Sequence, residues 1–256
     1  MAAATAPKCC NAVRPLAGEI LLAAWERGSM QPQPARALTL LLAGRPDLKE
    51  SDAAAMTVAE RDLALLDLRR HSFGPMLAAF FVCSSCGERL EFTLPNAAAA
   101  AGLQRAVQPE ITLLQEEYRL RLRLADSADI AAAAAQPNLE EARTLLLDRC
   151  LSAEASHGGS IPAALLPQAA RAVAIERLST MHEAAELTIS LCCPGCDSAQ
   201  SVPIDVPTFL WAEVRHAAHR LLQEVHEIAW AYGWAEEAIL AMSPHRRQAY
   251  IDMVRT

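Results

Sequence analysis

The stretch FFVCSSCGERLEF, residues 80 to 92, holds two cysteines separated by two residues and flanked by short apolar runs. This CxxC spacing lets one tight turn present two thiolates to a single metal ion. A second such pair follows much later in LCCPGC, residues 191 to 196. Four thiolates bind zinc tetrahedrally, so the two stretches together predict one zinc site. Its predicted ligands are Cys83, Cys86, Cys193 and Cys196.

Both cysteine pairs lie between segments whose composition is typical of strands. Apolar and β-branched residues are enriched on either side of each pair, and Gly87 suits the backbone reversal that a metal-binding turn requires. We therefore predict that each pair lies at the turn of a β-hairpin and that the two hairpins form a zinc ribbon. The predicted strands are residues 79–83, 88–94, 187–193 and 201–206.

The sequence leaves other interpretations of these cysteines open. The pairs could be unrelated surface cysteines, or one could be a thioredoxin-like redox pair. A redox pair belongs where a strand meets a helix N-terminus, which lowers a thiol pKa, whereas strands are predicted on both sides of each turn here. Cys192 could replace Cys193 as a ligand, although the CxxC spacing favours Cys193. The remaining cysteines are expected to be ordinary thiols: Cys9, Cys10 and Cys150.

A zinc ion with four cysteine ligands keeps no position for water, so the site is predicted to be structural and not catalytic. The chain also lacks a GxxxxGK[ST] phosphate loop, a GxGxxG fingerprint and a GxSxG nucleophile elbow. His182-Glu183 begins a near match to the HExxH metalloprotease motif, but Glu186 stands in place of the second histidine. We predict no catalytic residue, no small-molecule substrate and no cofactor besides structural Zn²⁺, and therefore no enzyme activity.

The composition favours helices. Of the 256 residues, 52% are hydrophobic, and most of these are the helix formers Ala and Leu. Thr208–Tyr232 repeats apolar residues at steps of three and four, as an amphipathic helix does, while Tyr118–Leu124 alternates as a strand does. We predict a mainly α protein with a small β component, built around the zinc ribbon. Its predicted parts are an N-terminal helical region (1–75), the hairpins (76–96 and 187–206), an inserted helical subdomain with one strand (97–186) and a C-terminal helical region (207–256).

Charge and hydropathy argue against several classes of protein. The formal net charge is −7, which disfavours a general nucleic-acid binder because phosphate contacts need a basic surface. No apolar run approaches the roughly 20 residues of a membrane span, and the N-terminus lacks the pattern of a secretory signal. We therefore expect a cytoplasmic protein with no membrane span.

The C-terminal region resembles a known family. Its sequence, residues 209 to 254, is FLWAEVRHAAHRLLQEVHEIAWAYGWAEEAILAMSPHRRQAYIDMV. It resembles the baseplate (hub) protein family of T-even-type contractile-tailed phages and of phage-like contractile injection systems. The order of the preceding segments is similar too: ERDLALLDLRRHSFGPML, CSSCGERLEF, a helical insertion and LTISLCCPGC. The resemblance covers about residues 57 to 254, and the doubled Cys192-Cys193 departs from the family's single leading cysteine.

The resemblance implies a non-catalytic part in the baseplate, either as a component of the mature particle or as an assembly factor. The implied partners are other baseplate, hub, spike or tube proteins, and the implied location is the bacterial cytoplasm or a phage-like particle. The alternative function is a zinc-ribbon nucleic-acid or transcription-associated binding module. Aromatic residues near the C-terminus either form an interface or fill this protein's own core, with Trp211 and Trp230 the better core candidates. These residues are Trp211, Trp230, Tyr232 and Trp234.

Overall fold

The computed structural model describes residues 13–104, 109–156 and 158–255. It is 58% helical, and its strands form small antiparallel sheets. The prediction of a mainly α protein with a small β component is therefore confirmed. Among the described residues, two sheets have two strands each and a third has four.

The described chain begins with helices. The last of these starts at a capping box, in which the Thr57 hydroxyl accepts a hydrogen bond from the Glu60 amide and the Glu60 carboxylate accepts one from the Thr57 amide. It ends where Gly74 adopts a φ of 96°, a value that favours glycine. The four helices are α1 (Gly18–Ser29), α2 (Gln33–Gly44), α3 (Glu50–Ala54) and α4 (Val58–Phe73).

The first cysteine pair lies in the first hairpin, which consists of β1 (Met76–Val82) and β2 (Arg89–Pro95). The strands are antiparallel, and Phe81 pairs with Leu90 next to the turn. Side chains of β1 alternate between the two faces of the hairpin, and Leu77 reaches the main core. The base of the hairpin is therefore attached to the main core.

The insertion contains four strands where one was predicted. The predicted strand is present, and its Leu120 and Leu122 are fully buried. The strand before it was missed because the turn between them, at Glu116, carries no Asn-Gly signal. The strand after it was missed because Leu151 continues directly from a helix. The elements are α5 (Asn96–Gln104), β3 (Glu110–Gln115), β4 (Tyr118–Arg123), α6 (Ser127–Ala134), α7 (Leu139–Cys150), β5 (Leu151–Ala155), β6 (Ser160–Ile161) and α8 (Gln168–Ala184), with a 3₁₀ turn at Ala163–Leu165.

The second cysteine pair lies in the second hairpin, β7 (Thr188–Cys192) and β8 (Ala199–Pro203), which is followed by three helices. The longest helix ends at Tyr232, as predicted, and Gly233 after it adopts a left-handed φ of 67°. In the described part of the chain, no helix combines the length and the apolar character needed to cross a membrane. The helices are α9 (Val206–Tyr232), α10 (Glu236–Leu240) and α11 (Pro244–Arg255).

The apolar side chains form separate cores. The main core lies between α1, α2, α4 and α9, and it includes Leu77 from the first hairpin and Leu187 just before the second. A second core joins the four-stranded sheet to α7 and α8. A smaller one holds the end of α9 against α10 and α11. Both hairpins are thus fixed to the same core although they are far apart in the sequence.

A buried arginine joins the first hairpin to two helices of the main core. Arg69 on α4 is only 3% exposed. Its guanidinium donates two hydrogen bonds to the Glu213 carboxylate on α9, of 2.9 and 2.8 Å. It also donates to the carbonyl oxygens of Gly74 and Met76, each at 2.7 Å. The start of β1 is therefore held at a fixed place against α4 and α9.

The expectation that Trp230 belongs to the core is wrong, because its side chain is 85% exposed. The buried stripe of α9 passes through Val225 and Ile228. Since each helical residue turns by about 100°, Trp230 falls on the opposite side from Ile228. Trp211 is half-buried, and its ring lies where a side chain at Gly28 would have to go.

Candidate metal centre

The two cysteine turns have the same backbone hydrogen bonds. In the first, the Cys83 amide donates to the Glu88 carbonyl at 2.8 Å, and the Gly87 amide donates to the Cys83 carbonyl at 2.9 Å. In the second, the Cys193 amide donates to the Ser198 carbonyl at 3.0 Å, and the Asp197 amide to the Cys193 carbonyl at 2.8 Å. Each turn therefore presents its two cysteines in the same way.

Each turn reverses at a residue with a left-handed backbone. Gly87 has a φ of 77° and Asp197, at the equivalent position, has a φ of 54°. Glycine was predicted to serve this purpose, and aspartate is one of the few other residues that adopt this conformation with little strain. The second turn thus reaches the same geometry without a glycine at this position.

The four predicted ligand residues meet between the hairpins. Their sulfur atoms all lie within 4.8 Å of one another. Cys83 Sγ lies 3.7 Å from Cys196 Sγ, and Cys86 Sγ lies 3.6 Å from Cys193 Sγ. A tetrahedral zinc ion with Zn–S bonds of about 2.3 Å places its sulfur ligands about 3.8 Å apart. The observed spacing fits such an ion, and the residues that would hold it are these four.

The cluster contains Cys193 and not Cys192. Cys193 is fully buried, whereas Cys192 is exposed at the end of β7. The Cys192 thiol donates instead to the Asp197 carbonyl, at 3.5 Å. Successive side chains of a strand point to opposite faces, so only one of two adjacent cysteines reaches the other turn.

Side chains next to the cysteines also join the two turns. The Ser84 hydroxyl donates to Gln200 Oε1 at 2.8 Å, and the Ser85 hydroxyl donates to Ser198 Oγ at 3.0 Å. A side chain at Gly195 would collide with the Glu88 carboxylate of the other turn. These contacts could not be predicted from the sequence, since polar residues are common in turns whatever they contact.

The thiols of the cluster differ in their affinity for protons. Hydrogen bonds from the backbone amides of Cys86 and Ser85 lower the pKa of Cys83 to about 6. The Glu88 amide acts in the same direction on Cys86, but the neighbouring sulfurs, first that of Cys193, outweigh it and raise the pKa of Cys86 to about 12. Sulfur atoms this close hold several thiolate charges only when a cation neutralises them. Binding of a metal ion by these cysteines would therefore release protons.

The other candidates do not form a metal site. His182 Nε2 accepts a hydrogen bond from the Ala125 amide at 3.1 Å, and His182 Nδ1 donates to the Leu178 carbonyl at 2.8 Å. Both ring nitrogens are thereby occupied, so the near match to HExxH is a structural histidine. Cys150 is buried in the second core, away from the cluster. Cys9 and Cys10 lie outside the described residues.

The four-cysteine cluster is the only group of three or more histidine, cysteine or acidic side chains, within the described ranges, that could hold a metal ion. Its donor set consists entirely of sulfur, which is typical of zinc and iron–sulfur sites. Comparisons of the chain with protein-family models, with curated proteins and with solved structures found no match.

Proposed function

We propose that Cys83, Cys86, Cys193 and Cys196 hold one structural Zn²⁺ ion and that the two hairpins form a zinc ribbon around it. The observation that carries this proposal is the spacing of the four sulfurs, which fits a tetrahedral ion. Four sulfur ligands leave zinc no position for water or substrate. The ion would therefore supply folding free energy, and this chain's residues would only hold and orient it.

Metal analysis of the purified protein tests the zinc ribbon. We expect one zinc per chain and four thiols that become reactive only after a chelator is added. Replacement of zinc by Co²⁺ should give the absorption spectrum of a tetrahedral site with four thiolates. Three protected thiols with an exchangeable water, or an iron–sulfur spectrum, would contradict the proposal.

We further propose that the protein is a structural or assembly component of the baseplate of a contractile tail or phage-like contractile injection system. The proposal rests on the resemblance of residues 57 to 254, together with a four-cysteine cluster that would leave a zinc ion no open position. The exposed Trp230, with Tyr232 at 37% exposure, gives α9 an aromatic surface suited to a protein partner. The implied partners are hub, spike or tube proteins.

Deletion of the gene tests the baseplate function. We expect sheath, tube and spike genes next to it, and we expect its loss to prevent assembly of complete particles, as seen by electron microscopy. A copy of the gene supplied in trans should restore them, whereas a copy encoding Cys86→Ser and Cys196→Ser should not. Normal particles in the deletion strain would refute this function without affecting the zinc proposal.

A further inference from the structure

A cavity of about 430 Å³ lies between α7 and α8, and none of the four clustered cysteines lines it. Each helix turns one face toward it. The face of α7 includes Arg143, Thr144 and Leu147, and that of α8 includes Arg171, Ile175 and Leu178, at steps of three and four residues. The volume falls in the range of about 300–1,000 Å³ that small-molecule sites occupy.

The inner wall of the cavity is apolar and belongs to the second core. Leu147, Leu178 and Cys150 are each at most 8% exposed, and all three line the cavity. Ile175 lies at the mouth and is 46% exposed, which is unusual for an apolar side chain beside a core. An alkyl chain in the cavity would cover apolar surface that is otherwise in contact with water.

The charged groups at the cavity favour an anion. Arg143 is paired with Glu140 at 3.0 Å. Arg171 is half-buried, and among the described residues it has neither a hydrogen bond nor an ion pair from its side chain. The remaining titratable side chains of the wall are His182, whose two ring nitrogens both form hydrogen bonds, and the Cys150 thiol, whose pKa burial raises to about 11. The wall thus carries one uncompensated positive charge in a chain of net charge −7.

We propose that this cavity binds an amphiphilic carboxylate, with its alkyl chain between α7 and α8 and its carboxylate on Arg171. Arginine is the side chain best suited to a carboxylate because its planar guanidinium donates two parallel hydrogen bonds. The apolar wall holds the chain, and the single free guanidinium at the mouth selects the head group. This site is separate from the zinc ribbon and does not depend on the proposed baseplate function.

Titration of the zinc-loaded protein with sodium octanoate tests the proposal, with isothermal titration calorimetry and amide NMR shifts as readouts. We expect one octanoate per chain, with shifts confined to α7, α8 and the adjoining sheet. Arg171→Gln should weaken octanoate binding about fivefold, which is the loss of affinity expected when one partly exposed ion pair is removed. Arg177→Gln, on an exposed side of the same helix, is the matched control and should bind as the wild type does.

Two further measurements distinguish binding at this site from nonspecific hydrophobic binding. 1-Octanol, which has the same chain without the charge, should bind at least about fivefold more weakly than octanoate. Ile175→Trp should fill the mouth and abolish binding, while the midpoint of thermal unfolding stays within a few degrees of the wild-type value. The proposal would be overturned if 1-octanol bound as tightly as octanoate, or if Arg171→Gln and Arg177→Gln lost the same octanoate affinity. It would also be overturned if Ile175→Trp bound octanoate as the wild type does.

Discussion

Cys192 and Cys193 are adjacent in the sequence but differ in every property that matters for metal binding. Cys193 is fully buried with its sulfur 3.6 Å from that of Cys86. Cys192 is exposed and bonds only to a backbone carbonyl. The sequence could favour Cys193 because the CxxC spacing is a local property. It could not show how each cysteine is oriented, since that depends on where β7 ends.

Replacement of the two cysteines one at a time should give opposite results. We expect Cys193→Ser to weaken zinc binding by more than about 100-fold, because one of four ligands is lost. Cys192→Ser should keep one zinc per chain and an unchanged thermal midpoint. Competition with a chromophoric chelator measures both affinities. If Cys192→Ser lost zinc and Cys193→Ser kept it, the ligand would be Cys192 and the assignment to Cys193 would be wrong.

Asp62 is a second residue whose environment changes its chemistry. It is buried on α4 beside Arg61, with a distance of 2.7 Å between the Asp62 carboxylate and the guanidinium. Burial raises the pKa of Asp62 to about 6, and it outweighs the opposite effect of Arg61. The folded protein therefore prefers the protonated acid more strongly than the unfolded chain does. The resulting stabilisation is complete below pH 4 and is lost as the pH rises through 6.

Asp62→Asn should reveal this pH dependence, since the amide stays neutral at every pH. Between about pH 4.5 and about pH 7.5, the variant should gain on the order of 2 kcal/mol in free energy of unfolding relative to the wild type. Urea unfolding at both pH values measures the difference, and any effect of pH on the zinc site cancels in the comparison. Asp67→Asn, an exposed position of the same helix, is the control. An equal gain in both variants would contradict the assignment to Asp62.

At the scale of the elements, α9 organises the fold through paired charges as well as through its apolar stripe. Glu213 on α9 pairs with the buried Arg69 of α4, and Glu224 on α9 pairs with the buried Arg247 of α11. Arg69 also donates to the Met76 carbonyl at the start of β1, and Arg247 donates to the Met242 carbonyl between α10 and α11. One helix therefore fixes the positions of its neighbours at two points.

Glu213→Gln should destabilise the protein, because it leaves the buried Arg69 guanidinium without its counter-charge. We expect a loss of about 2 kcal/mol in free energy of unfolding, somewhat less than for a fully buried pair because Glu213 is partly exposed. Glu227→Gln, which removes the partner of the exposed Arg255, should have a much smaller effect. Urea unfolding at neutral pH measures both, and equal losses would show that burial of Arg69 does not matter.

The elements also show which helices and strands can be predicted from sequence patterns. The apolar period of α9 predicted its extent to within two residues at either end, because every turn repeats the same signal. The same period would have placed Trp230 on the exposed side of α9, but its position in the interior of the helix suggested the core. In the insertion, β4 was found because Leu120 and Leu122 alternate with arginines. In β3 the adjacent Leu113 and Leu114 interrupt the alternation. β5 has only five residues, and it pairs with β4 across two intervening helices.

At the scale of the whole molecule, the sequence predicted that the two cysteine turns meet, because four ligands are needed at one ion. It did not predict that both hairpins share one core with α4 and α9. The cavity between α7 and α8 could not be predicted from the sequence either, since a cavity depends on how two helices are spaced over a sheet. Local patterns identify elements, whereas their separation follows from packing.

The contact between the two ends of the insertion has a consequence for how this chain can be edited. A side chain added at Gly102 in α5 would lie 3.4 Å from Leu187, so the chain leaves the main core and returns to it at neighbouring points. We therefore expect that this segment can be exchanged or removed without moving the two points at which it is attached.

A chain in which a short Gly/Ser linker joins α5 directly to Leu187 should therefore still bind one zinc and unfold cooperatively. We expect a lower thermal midpoint, because contacts of α6 with α2 and α3 are lost. Metal analysis and calorimetry of the shortened protein measure both outcomes. If the shortened chain bound no zinc, the hairpins would need the insertion to hold them together. If it did bind zinc, the sequence of the insertion could change while the two hairpins and the main core keep their structure.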